Sequence, residues 1–122
     1  MNDNTEVRRQ IHPTFVQQER VQSRAFAPTP KDKGLLSVYD GDQKTSEEAF
    51  LHYTQVLKLS SCGVASFTVS EVKQSGSLDV RPDPEPFPAH AVVDFTRLSE
   101  KERKNAAKKL RDFAVKRIWR PS

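Results

Sequence analysis

A chain of 122 residues that is 35% apolar and 30% charged has room for one modest hydrophobic core and not for two. Its single cysteine, Cys62, excludes an internal disulfide and a thiolate-built structural zinc site, and no run approaches the roughly eighteen apolar residues that would cross a bilayer. The net charge of +4 is uneven: residues 99–122 hold nine Lys or Arg against three acids, a local +6 that leaves −2 on residues 1–98, so any affinity for polyanions is expected at the carboxyl end.

MNDNTEVRR at the amino terminus lacks the apolar centre of a secretion signal, which predicts a cytoplasmic protein, and residues 1–6 read as a flexible tail. RVQSRAF (20–26) is a weak strand followed by a PTPKDKG loop, and LLSVY (35–39) is a firmer one. The Asp-Gly-Asp of SVYDGD (37–42) has too few oxygen donors for a calcium or magnesium loop. It reads instead as a strand-to-helix turn in which Gly41 supplies an unusual dihedral angle.

Thr45 and Glu48 have capping-box spacing, and Ala49, Phe50, Tyr53, Val56 and Leu57 follow at helical steps, which predicts an amphipathic helix ending near Ser60. GVASFTVSEV (63–72) alternates as a half-buried strand, Gln74–Ser77 is a turn, and Leu78–Arg81 returns as a short antiparallel strand. PDPEPFP (82–88) is stiffened by alternate prolines and delivers the strand HAVVDF (90–95). Ser99 and Glu102 form a second capping box, and Ala106, Leu110, Phe113, Ala114 and Ile118 set an apolar stripe along a basic helix over 99–119, which Pro121 stops.

The order of elements predicts one α+β domain over 7–122, with a mostly antiparallel sheet of four to five strands and two amphipathic helices on one face. There is no phosphate-cradling glycine loop, no GxSxG elbow and no His or Cys pair at metal spacing, so no cofactor and no metal site is expected.

Two readings of function follow. In the first the protein is a non-catalytic binding or accessory protein, contacting an acidic protein or a nucleic acid through Lys104, Lys108, Lys109, Arg111 and Lys116 on the last helix. An open edge strand would in addition make a homodimer easy. In the second it is an enzyme without a familiar motif, a transferase or hydrolase acting on a phosphorylated or nucleotide-like substrate. His12 and His90 would then be acid and base, Arg24 the anion clamp and Asp94 the orienting carboxylate. His52 reads as a flank residue of the first helix.

Overall fold

EVRRQI, a charged stretch that carries no strand signal of its own, runs through the middle of the sheet. In the computed structural model, which describes residues 1–122, Glu6–Ile11 (β1) lies between Leu35–Asp40 (β4) and Gly63–Thr68 (β5). The full order across the six-stranded antiparallel sheet is β6 (Asp79–Pro82), β7 (His90–Asp94), β4, β1, β5, β8 (Ile118–Trp119). Val16–Gln17 (β2) and Arg20–Val21 (β3) form a separate small hairpin. The sheet therefore has six strands where four to five are expected, because β1 and β8 are added at its centre and edge.

Alternation along β1 explains how so polar a segment is accommodated. Val7 and Ile11 enter the main core together with Leu36, Val38, Phe67, Val93 and Phe95. Arg8 and Gln10 point to the other face, where Gln10 Nε2 donates to the Ala49 carbonyl at 3.0 Å and Arg8 donates to the Lys44 carbonyl at 2.7 Å and to Ser66 Oγ at 2.9 Å. Ser46–Leu51 (α1) is thus held on that second face. Val69–Ser75 (α2) and Glu100–Ala114 (α3) instead pack into the main core through Val69, Val72, Ala106, Ala107, Leu110 and Ala114. The helices lie on opposite faces of the sheet, not together on one; polar ties from β1 seat α1 beside a small second core of Tyr39, Ala49 and Ala89.

The first helix is shorter than its periodicity implies. After Leu51 the chain widens into a π-helical turn over His52–Val56, which shifts the following side chains round the axis. Ala49 is buried and Tyr53 half-buried, but Val56 is 66% exposed. Residues 69–72, expected to continue β5 as a strand, instead open α2, which runs to Ser75, because Thr68 caps the Glu71 amide and Glu71 reaches back to Thr68. The weak strand at 20–26 survives only as Arg20–Val21; Ser23–Phe26 is a 3₁₀ turn that buries Ala25 and Phe26. Phe26 meets Phe67 edge-on at 6.1 Å, and a fully buried side chain of this size contributes about 1.5–3 kcal/mol.

Both ends of the chain differ from expectation. The tail expected over 1–6 is tied to the domain: Thr5 is buried, its hydroxyl donates to Asp42 at 2.8 Å and its carbonyl accepts from the Val69 amide at 3.0 Å, while Asp3 pairs with Lys73. The last helix stops at Ala114. The chain then turns, and Ile118 and Trp119 pair with Ala65 and Val64 as an edge strand. Ile118 still packs on the main core, so its place in the apolar stripe is right for burial and wrong for helix. Gly41 is needed for space, since a Cβ there would lie 2.3 Å from the Glu6 carbonyl oxygen, which already accepts the Gly41 amide.

Candidate nucleic-acid interface

The basic face of α3 fronts two adjoining clefts of about 800 and 670 Å³ that share Ser23, Arg24 and Lys108. One wall is α3 itself, with Arg103, Lys104, Lys108 and Arg111. The other is the 17–34 segment, which brings Arg20, Arg24 and Lys33 across from it. Lys104, Lys108 and Arg111 fall at four- and three-residue steps, so one side of the helix presents all three.

Local bonds fix Arg24, Arg103 and Arg111 and leave Arg20 and the lysines free to move. Arg111 Nε donates to the Val21 carbonyl at 2.8 Å, Arg103 Nε donates to the Leu98 carbonyl at 3.2 Å, and Arg24 donates to Gln22 Oε1 and the Thr14 carbonyl while lying over the Phe15 ring. The ion pairs of the chain engage none of Arg20, Arg24, Lys33, Arg103, Lys104 or Lys108. Of the groove cations only Arg111 has a carboxylate partner, Asp112 at 3.2 Å. Six unpaired cations facing one groove raise the local positive potential well above that of the same charges spread over a surface.

The structure divides the five residues expected on the binding helix. Lys104, Lys108 and Arg111 line the groove, whereas Lys109 lies on the outward side of α3 and Lys116 lies in the turn beyond its end. Arg20, Lys33 and Arg103 join them without having been singled out from the sequence. Arg20 and Lys33 sit far from the basic cluster along the chain, and only the packing of 17–34 on α3 brings them there. The left-handed conformation of Lys33, φ 54°, turns the chain at the end of the Pro30–Asp32 helical turn.

The four residues of the catalytic reading are dispersed. His12 follows β1 and caps the Pro13–Phe15 turn, its Nδ1 accepting from the Thr14 amide at 3.1 Å. Arg24 lies near it, bonded to the Thr14 carbonyl. His90 is two strands away on β7 and shares no bonding partner with His12. Its Nδ1 donates to the Asp83 carbonyl at 2.8 Å and its Nε2 lies 3.1 Å from Ser37 Oγ. Asp94 is engaged in local structure: Thr96, Arg81 and the Thr96 amide bond to it and hold its carboxyl down at about 2. These positions do not form one pocket around His12 and His90.

On the second face, Tyr39, His52, Phe87 and His90 gather into one aromatic cluster, with Phe87 packed 4.6 Å from His52 and 5.2 Å from His90. The Tyr39 hydroxyl lies 2.7 Å from His52 Nδ1. His52, read from the sequence as a flank residue, is therefore a structural partner of the sheet. No helix is long and apolar enough to cross a membrane. Comparison with protein family models, with curated proteins and with solved structures found no match to this chain.

Proposed function

We propose that the protein binds nucleic acid by laying a phosphodiester backbone along the groove between α3 and residues 17–34. The observation that carries this reading is the convergence of Arg20, Arg24 and Lys33 with Arg103, Lys104 and Lys108 on one contiguous concave surface, none of the six in an ion pair and with Glu100 and Asp112 as the acids in its lining. Lysines on flexible stems and arginines held by backbone carbonyls suit the two tasks of a backbone contact, attraction and placement. Contacts of this kind read charge and spacing, so the binding is expected to be independent of base sequence.

The test is fluorescence polarisation with labelled single-stranded and duplex oligonucleotides at about 50 and 200 mM salt, beside an acidic peptide of equal charge. Tighter binding of an oligonucleotide than of the peptide, weakened by the double substitution Lys104→Glu/Lys108→Glu, supports the reading. No oligonucleotide binding at low salt overturns it, and preference for the peptide makes the groove a protein-docking surface instead.

A further inference from the structure

We infer that Ser37, His90 and Asp83 form a nucleophile–base–acid array able to cleave short-chain carboxylic esters, on the face of the sheet opposite the basic groove. The argument begins with a tautomer. A carbonyl oxygen can only accept, so the 2.8 Å bond between His90 Nδ1 and the Asp83 carbonyl places the imidazole proton on Nδ1. Nε2 is then a lone-pair acceptor in the neutral ring, and the Ser37 hydroxyl 3.1 Å away donates to it. This is the proton arrangement that activates a serine hydroxyl.

The ring is held in place from several sides. His90 pairs with Tyr39 across β7 and β4, its amide donates to the Phe87 carbonyl at 3.0 Å, its carbonyl accepts from the Asp83 amide at 2.9 Å, and the Phe87 ring meets it edge-on. Pro84, Pro86 and Pro88 stiffen the loop that carries these partners. The Asp83 carboxylate lies 3.4 Å from Nδ1, where it offsets the charge the ring gains when Nε2 takes a proton. Asp83 is therefore a positioning residue, and Ser37 and His90 are the catalytic pair.

Access and a fixed backbone complete the array. His90 is 8% exposed while Ser37 is exposed, so the base is shielded and the nucleophile open. Arg9 Nη1 donates to the Ser37 carbonyl at 2.9 Å from the main-core side of the sheet, where its Nε also donates to the Ala25 carbonyl, and so holds the backbone of β4 that carries the nucleophile. Leu35 lies two residues back on the same side of β4, and Val92 pairs with Ser37 across the strands. Val92 is 4% exposed, so the half-buried Leu35 supplies the apolar surface beside Ser37, enough for a short acyl chain only.

In the acylation step Ser37 Oγ bonds to the acyl carbon, its proton passes to His90 Nε2, and the bond from that carbon to the leaving oxygen breaks as Nε2 returns the proton to it. Water then attacks the acyl-serine, giving its proton to Nε2, and the carboxylic acid leaves as Ser37 regains its hydrogen.

The test uses the whole protein with p-nitrophenyl acetate and with a serine-directed fluorophosphonate, followed by mass mapping. Expected are a single phosphonyl group on Ser37 and ester cleavage lowered about 100-fold or more by Ser37→Ala and by His90→Gln. Asp83→Asn, a change in the exposed loop, should keep the fold and lower the rate about tenfold or less through its effect on Nδ1. Circular dichroism confirms that each variant is folded, and His52→Gln, which alters the same cluster but not the array, should label as the unaltered protein does. Absence of labelling at Ser37, labelling that His90→Gln leaves unchanged, or cleavage that persists in Ser37→Ala overturns the inference.

Discussion

Glu71 grips Arg117 with both oxygens, at 2.6 and 3.2 Å, and so joins the start of α2 to the turn that leads into β8. The same carboxylate caps α2 by accepting from the Thr68 amide at 2.8 Å. Burial alone would raise its pKa, but the bonds from Arg117 and Thr68 outweigh it and hold the group below its ordinary 4.5. A depressed folded value means stability that is complete above about pH 4.5 and lost as pH falls through the folded value. Glu71→Gln should cost about 1–2 kcal/mol at neutral pH, since it weakens a cap and a charge-assisted pair together, and it should flatten the acid limb of a plot of Tm against pH.

A second pH dependence comes from His52. Burial, and after it the positive charge of Lys44, lower its pKa from 6.5. Burial, and after it Tyr53, push the Tyr39 phenol up, so Tyr39 keeps its proton and donates to His52 Nδ1. Below about pH 6.5 the unfolded chain takes up a proton that the folded ring resists. The contribution is therefore complete above that pH and lost as pH falls toward the lowered folded value. His52→Gln retains an acceptor for the Tyr39 hydroxyl and should make the fall of Tm between pH 7 and 5 shallower.

Gln18 and Glu19 join β2 to β3 with φ of 51° and 66°, both in the left-handed region that favours glycine and asparagine. A two-residue hairpin turn of this kind is ordinarily Asn-Gly. Replacing the pair by Asn-Gly should raise stability by about 0.5–1 kcal/mol in urea unfolding, because side chains that resist the conformation are removed. A loss of stability would mean that Gln18 and Glu19 make contacts that outweigh the strain.

The elements legible in the sequence were those whose signals are local. Thr45–Glu48 and Ser99–Glu102 announce helix starts by a spacing of three, and both boxes form. LLSVY and HAVVDF pair with each other in register, Tyr39 opposite His90. What stayed hidden depends on distant partners. EVRRQI becomes the central strand because Lys44 and Ser66 accept from Arg8 and α1 accepts from Gln10 Nε2, although Gln10 Oε1 stays buried without a partner, and no local pattern records those contacts. The groove is half legible for the same reason: charge on α3 is visible in its sequence, but Arg20 and Lys33 reach it through tertiary packing. Ser37 gave no signal at all, because a serine in an alternating strand reads as the solvent side, and its meaning comes from the Nε2 that β7 brings beside it.

The groove reading differs from a general attraction to a basic helix, and salt and substitution separate the two. If about four of the six unpaired groove cations meet phosphates at once, log K should fall against log salt with a slope near −3 for a single strand. Lys104→Glu/Lys108→Glu removes about two of those contacts, so the slope should fall by roughly 1.4 and affinity at low salt by more than about tenfold. Lys109→Glu/Lys116→Glu changes the net charge by the same amount, but neither residue lines the clefts. It should weaken binding by less than about threefold and leave the slope nearly unchanged, since a charge outside the groove acts only through the screened long-range field. Titration of one labelled oligonucleotide against the two double variants over a series of salt concentrations makes the comparison. Equal losses would mean that the total charge of the carboxyl end, and not the groove built with Arg20, Arg24 and Lys33, is what holds the phosphates.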